Sequence, residues 1–282
     1  MPAAPAQDWY DHPRYYDAVF DSDTPAEADF LETMVRRHLR SRRDLPGRPA
    51  IAARPPSLNV FEPACGSGRL LVELARRGHR VSGFDLNPHM LAHARERLAA
   101  EGRKARLWQA DLAGFQPPRP ACQLSFCLIS TFKYLLTGPQ ARAHLEAVAG
   151  SLVAGGLHVL GLHLTDYDRR RPCHERWVSE TADLTVVCNT RTWPADRRRR
   201  IEPVRSRLTI TERPRRGAPE RRHTIETNWK FRTYNAGQLS ALLRAVPELE
   251  LVAVHDFHYD PDWTTTIDGG QSDLVLVLRK RR

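Results

Sequence analysis

The 282-residue chain reads as an α/β protein: a doubly wound, mostly parallel, seven-stranded sheet that carries an antiparallel β insertion. Three observations predict this. From Leu58 onward, apolar runs of strand length alternate with amphipathic runs that close on glycine, the rhythm of a sheet built by right-handed crossovers. The run QLSFCLIS is nearly all apolar, as a parallel strand covered on both faces has to be. After Asp166 the period drops to two, the period of half-buried antiparallel strands.

The elements follow in order. Residues 1–50 read as an N-terminal lid or helical segment that opens aromatic and acidic, with Tyr10, Tyr15 and Tyr16. Phe30, Leu31, Met34, Val35 and Leu39 fall at helical spacing, which predicts a helix from about Ala26 to Arg43, capped by Thr24 with Pro25 at its first position. DLPGRPAIAARPPS has no packing pattern and reads as a connector. LNVFEPA is the first strand, followed by the helix GRLLVELARRG, which ends on Gly78. HRVSGFDL and PHMLAHARERLAAEG repeat the unit, ending on Gly102. ARLWQADL is the third strand, QLSFCLIS the fourth, GPQARAHLEAVAGSL a helix and GGLHVLGLHL the fifth strand.

HERWVSE, LTVVCNTRTW, EPVRSRLTITE and HTIETNWKFRTY then alternate, separated by charged turns. In the last of these, Ile225, Thr227, Trp229 and Phe231 share one face, and Glu226, Asn228, Lys230 and Arg232 the other. The helix AGQLSALLRAV and the strands ELELVAVHDFHY and SDLVLVLRK complete the main sheet. The expected organisation is one main domain, 51–165 and 235–282, interrupted by the insertion 166–234, which serves as a substrate lid or a subunit interface.

Composition narrows the class of function. No run approaches the ~18 apolar residues of a membrane span, and the N-terminus lacks the basic-then-apolar plan of a signal peptide, so a cytoplasmic protein without a membrane partner is expected. Five cysteines without C-x-x-C spacing speak for reduced thiols and against a metal site. The net charge of +10 is concentrated between Asp166 and Arg222, where 16 Arg stand against 9 acids. Such a stretch is either a solvated face or an anion-binding one.

VFEPACGSGRLLVELARRG carries the chemistry. Glycines at a strand-to-helix turn let a ligand approach the backbone and the helix amides closely. A triphosphate loop needs Gly-Lys-[Ser/Thr], but Gly68 is followed by Arg69 and Leu70. The dinucleotide fingerprint needs a third glycine where Leu71 stands. Glu62 at the leading edge repels a pyrophosphate and favours cationic groups.

EPACGSGR resembles the first motif, D/E-x-G/A-x-G-x-G, of class I S-adenosylmethionine-dependent methyltransferases, a Rossmann-like family whose ligand has an ammonium and a sulfonium and no phosphate. The resemblance covers about residues 10–165 and 235–280. It implies that Glu62, Ala64, Gly66 and Gly68 cradle S-adenosylmethionine and that Asp85, with Leu86 beside it, takes the ribose hydroxyls. It places Asp111 and Leu112 at the adenine and Ile129 on the wall of the site, and makes YYDAVFD, with Tyr16, a lid. The family's first motif glycine is Ala64 here, and Cys122-Gln123 stands where a Phe-Asp pair often opens the fourth strand. The segment lacks Asn-Pro-Pro-Tyr and Pro-Cys, which mark adenine and cytosine chemistry, and LISTFKYLLT is similar to small-molecule members.

Methyl transfer needs alignment and, for a protonated acceptor, a base. His163, Tyr134 and His258 are the expected catalytic residues at the carboxyl ends of the strands, with Ser130, Thr131, Asp166, Tyr167 and His255 nearby in sequence. Trp177, Trp193 and Trp229 either line a substrate wall or pack the insertion on the main domain. The expected function is transfer of a methyl group to an N or O atom of a small molecule, anionic if Arg197–Arg200 face the cleft. The alternatives are an RNA or protein methyltransferase that uses the Arg-rich insertion as a phosphate clamp, and a non-catalytic scaffold that keeps the fold. An oligomer would form through the insertion.

Overall fold

A computed structural model describes residues 8–39, 57–213 and 219–282. The expected connector up to residue 56 and the end of the first expected helix, 40–43, lie outside them, as does part of the turn before the last insertion strand. The main sheet contains β1 (Asn59–Pro63), β2 (Arg80–Asp85), β3 (Ala105–Gln109), β4 (Cys122–Cys127), β5 (Leu152–His163), β10 (Leu249–His255) and β11 (Asp273–Lys280). Their spatial order is β10-β11-β5-β4-β1-β2-β3. Only β11 runs against its neighbours.

The chain winds outward from β1 to β2 and β3, then returns to place β4 on the other side of β1. This reversal leaves a crevice outside the carboxyl ends of β1 and β4, the place where open α/β sheets bind ligands.

Helices cover both faces. α2 (Thr24–His38), α3 (Arg69–Arg76) and α4 (Pro88–Ala100) lie over one, burying Leu31, Met34, Leu70, Leu74 and Leu91. α5 (Gly138–Ser151) and α6 (Ala236–Arg244) cover the other with Leu145, Val148 and Leu239. Asn87 accepts from the amides of His89 and Met90 and caps α4, so Asp85 is not needed for that purpose. Gln123, in place of the family's acid, accepts the amide of Asn59 at 2.8 Å and ties β4 to the start of β1.

The insertion is a four-stranded antiparallel sheet in the order β6 (Cys173–Glu180), β7 (Leu184–Thr192), β8 (Ile201–Glu212) and β9 (Arg221–Arg232). Its inner face buries Val186, Leu208, Ile210 and Ile225, and the N-terminal segment closes that cluster. Trp9 stacks on Trp229 at 5.2 Å, Tyr15 donates to Glu212, and Arg14 pairs with Asp183. On its other side α1 (Pro13–Phe20) reaches α4 through Asp17, which pairs with Arg97 at 2.6 Å and His93 at 2.8 Å. Trp229 therefore packs, whereas Trp177 is exposed and Trp193 lies between Arg191 and Arg205.

Three boundaries differ from expectation. α2 starts at Thr24 with Asp23 before it; the Thr24 hydroxyl is drawn to Asp21 and Arg69 rather than capping the helix. β3 stops at Gln109, because Asp111 turns the chain by accepting the amide of Ala113. β4 stops at Cys127, because Ile129 and Ser130 have φ of 54° and 60°, which no strand accommodates.

Candidate active site

The turn after β1 is left-handed three times, at Ala64 (φ 53°), Gly66 (φ 52°) and Gly68 (φ 72°). This explains why a glycine suits position 64 and why alanine there carries a backbone strain of about 1 kcal/mol. Gly68 has a second reason: a Cβ would lie 2.8 Å from the Cβ of Ala94, so α3 can start this close to α4 only without a side chain. Gly66 has open space around it and is required for its backbone alone. Its amide donates to Asp85 Oδ2 at 2.8 Å, and Asp85 Oδ1 accepts the amide of Asn87 at 2.8 Å. Burial raises the Asp85 carboxyl above its ordinary range, while these amides oppose the rise.

Glu62 points into the crevice from the end of β1. It is 9% exposed, and among the described residues its Oε2 has no hydrogen-bond partner. Burial pushes its carboxyl well above the ordinary range, with Arg69 opposing. Arg69 does not neutralise Glu62, because its guanidinium is committed to Glu27 and Thr24 on α2. A buried carboxylate oxygen without a donor is costly, and a cationic or N–H-bearing ligand group removes that cost. Such a group is what an aminoacyl nucleoside presents, so these residues fit S-adenosylmethionine.

Tyr16, Glu62, Ala64, Gly66, Ile129 and Thr131 line one cleft. Asp85 and Gly68 fasten its turn, Asp85 through the Gly66 amide and Gly68 through the Cys65 carbonyl. Leu86, Asp111 and Leu112 lie off that wall, along the ends of β2 and β3. Leu86 is exposed, Asp111 closes its own turn, and Leu112 is buried with its carbonyl against His144. Cys65 is buried and its thiol pushed up by burial, so it packs and is no nucleophile.

A second group of side chains lies at the ends of β4, β5 and β11. The hydroxyls of Tyr10 and Tyr134 meet at 2.7 Å, and burial raises both phenols. Tyr16 packs beside Tyr10 at 5.8 Å, which joins this aromatic wall to the cleft. His163 receives support from two sides: its amide donates to Ser130 Oγ, and its Nδ1 lies 2.6 Å from Asp273 Oδ1. His258 sits beside Asp273, with its amide on Asp256. His255 is buried against Phe30 and its Nδ1 meets the Trp263 carbonyl, so it faces the core. Tyr167 bonds Thr233 and Gln238 on the far side of the insertion.

The arginine hairpin does not reach the cleft wall. Arg197 lies over Tyr167, Arg200 over Tyr234 with hydrogen bonds to the Thr233 carbonyl, and Arg199 is exposed beside Asp196.

Sequence reasoning missed Tyr10, Asp273 and the Glu27–Arg69 pair. Arg69 stands next to Gly68, so its place was visible. Asp273 had no local signal, because only the register of β11 against β5 brings it opposite His163.

Residues 60–156 match the family profile described as a methyltransferase domain. The chain is 27% identical over 153 residues to the dTDP-3-amino-3,4,6-trideoxy-alpha-D-glucopyranose N,N-dimethyltransferase of Streptomyces venezuelae, covering 53% of this chain and 56% of that one. The chain spans about half the length of the curated relatives it matches. Its fold is similar to that of an S-adenosylmethionine-dependent methyltransferase from Clostridium acetobutylicum, with TM-score 0.69, 16% identity and coverage of 96% and 98% of the two chains. A sugar N-methyltransferase from Streptoalloteichus superposes with TM-score 0.67 and 20% identity over 100% of this chain and 96% of that one.

Proposed function

We propose that this chain, which belongs to the class I S-adenosylmethionine-dependent methyltransferases, methylates a nitrogen or oxygen atom of a small molecule. The observation that carries the reading is Glu62: a buried carboxylate with an unpartnered oxygen, at the edge of a left-handed glycine turn that Asp85 fastens. When bound, the cofactor supplies a methyl group on a cationic sulfur.

The chain's own residues divide the remaining work. Glu62 receives the cationic end of the cofactor. Gly66 and Ile129 let the backbone approach it, Asp85 holds the turn and offers lone pairs to hydroxyls, and Tyr16 covers the cleft. Tyr134 and His163 stand on the acceptor side, and the insertion, anchored by Trp9 on Trp229, roofs it. The names of the sugar N-methyltransferases to which the chain is similar support a small-molecule acceptor, and nitrogen as its atom. The packing of Arg197 and Arg200 on tyrosines weighs against a nucleic-acid clamp.

The test has two parts. Calorimetric titration with S-adenosylhomocysteine should give saturable binding, and label from methyl-tritiated S-adenosylmethionine should pass to members of a panel of amino sugars, other amines and phenols. Absence of binding overturns the reading. Transfer to RNA alone, with affinity falling steeply in salt, replaces it with the nucleic-acid alternative.

A further inference from the structure

The His163–Asp273 pair has the build of a proton acceptor. Nδ1 of His163 lies 2.6 Å from the Asp273 carboxylate, which fixes the ring and its tautomer and leaves Nε2 as the free nitrogen. Among the described residues nothing hydrogen-bonds Nε2. His163 is neither core nor open surface: its side chain is 42% exposed and that of Asp273 43%. Phe257 packs on the ring edge at 4.8 Å and restricts its rotation.

The position is as specific as the geometry. Ser130 ties its amide to the Gly161 carbonyl and its hydroxyl to the His163 amide, so His163 is fastened to the loop whose Ile129 and Thr131 line the cofactor cleft. The other titratable groups that act on the pair are His258 from the segment after β10 and Lys133 from the turn after β4. The Lys133 ammonium is paired with Glu202, which leaves the Asp273 carboxylate as the charge presented beside His163. A carboxylate-backed imidazole favours a cationic acceptor over an anionic one.

Tyr134 does not serve this purpose. Its hydroxyl is buried, bonded to Tyr10 and raised above its ordinary range, so it stays protonated at neutral pH.

We infer that His163, oriented by Asp273, takes the proton from a protonated-amine acceptor; the inference rests on the methyltransferase reading above. The acceptor N–H bond breaks, its electron pair stays on nitrogen, and the proton passes to Nε2. The acceptor becomes a neutral amine and His163 an imidazolium whose added positive charge Asp273 balances; solvent later removes that proton. His163 is the catalytic residue in this step and Asp273 a positioning residue.

The test needs no acceptor. S-adenosylmethionine and S-adenosylhomocysteine differ by the methyl group and one positive charge at sulfur, so the ratio of their dissociation constants reports titrating groups near the methyl. Two unit charges about 6 Å apart in water interact by roughly 0.7 kcal/mol, an affinity change of about threefold. As pH rises and the imidazole loses its charge, calorimetry should show the full chain improving about threefold for S-adenosylmethionine relative to S-adenosylhomocysteine. The ratio should be flat in His163→Gln, and its midpoint should move to lower pH in Asp273→Asn. A flat ratio in the wild type, or an unchanged one in His163→Gln, overturns the inference while leaving the cofactor site standing. Failure of both ligands to bind overturns the methyltransferase reading instead.

Discussion

Asp85 holds the amide of Gly66 at 2.8 Å, 19 residues back along the chain, and so shapes the turn against which the cofactor is proposed to lie. One carboxylate fastens the loop from two amides and is proposed to offer its remaining lone pairs to ribose hydroxyls. Asp85→Asn would turn one acceptor into a donor facing either the Gly66 or the Asn87 amide. The expected result is a loss of stability of about 1–3 kcal/mol, the usual effect of an unsatisfied buried group. S-adenosylhomocysteine affinity should fall at least about tenfold, since the same amides then shape the loop wrongly. Urea unfolding and calorimetry read the two effects, and a variant of wild-type affinity would remove Asp85 from the site.

Glu62 should make the protein without cofactor less stable as pH rises. Burial raises its carboxyl in the folded state above its ordinary value of 4.5. Through that window the folded state therefore binds more protons than the unfolded one, and stability falls with pH. Glu62→Gln has no such proton, so the stability difference between variant and wild type should grow in the variant's favour from about pH 4.5 upward. Cofactor affinity should move the other way, falling in the variant because the charge facing the cationic end is gone. Parallel stability curves for the two proteins across this range would contradict the assignment.

These two residues were legible in the sequence because motif spacing along one strand–turn–helix unit is local. The sheet order, the crevice between β1 and β4, and the approach at Gly68 all follow from alternation and glycine placement. The acceptor side was legible only in part. His163 ends a strand that the pattern predicts and Tyr134 follows another, but their partners Asp273 and Tyr10 are 110 and 124 residues away in the chain. Pairings of that kind depend on strand register and on where the N-terminal segment docks, and neither leaves a local trace. The arginine run left two readings open for a related reason: charge counts give sign but not direction, and only the structure shows Arg197 and Arg200 lying over tyrosines.

Lys133 and Glu202 join the turn that carries Tyr134 to the insertion. Their side chains are only 3% and 8% exposed, at 3.4 Å, with Arg169 on the second carboxylate oxygen at 2.8 Å. Burial lowers the Lys133 ammonium from its ordinary range, opposed by Glu202. Glu202→Gln would strand two cations and should destabilise the fold by about 3–5 kcal/mol. Lys133→Met, which leaves Glu202 paired with Arg169, should have a smaller effect, about 1–2 kcal/mol. Denaturant midpoints of the two variants test this asymmetry. Equal losses would show that Arg169 contributes nothing to the network.

Tyr134 and His163, both proposed for the acceptor side, differ in what they can do with a proton. The Tyr134 hydroxyl shares one hydrogen bond with Tyr10, and Phe231 packs edge-on against its ring at 5.0 Å. Tyr134→Phe keeps that packing and removes only the hydroxyl, so the fold should hold to within about 1 kcal/mol. If the hydroxyl orients the acceptor, kcat/KM should fall about tenfold, the effect of one lost neutral hydrogen bond. The pH profile should keep its shape, because the phenol does not titrate near neutrality. His163→Gln should do the reverse: it should flatten the acidic limb of the profile and lower the rate by about 100-fold or more, the range of general base catalysis. Rates against pH for both variants, with an amine that accepts label in the panel, separate an orienting hydroxyl from a proton acceptor. An acidic limb that shifts in Tyr134→Phe and persists in His163→Gln would exchange the two roles.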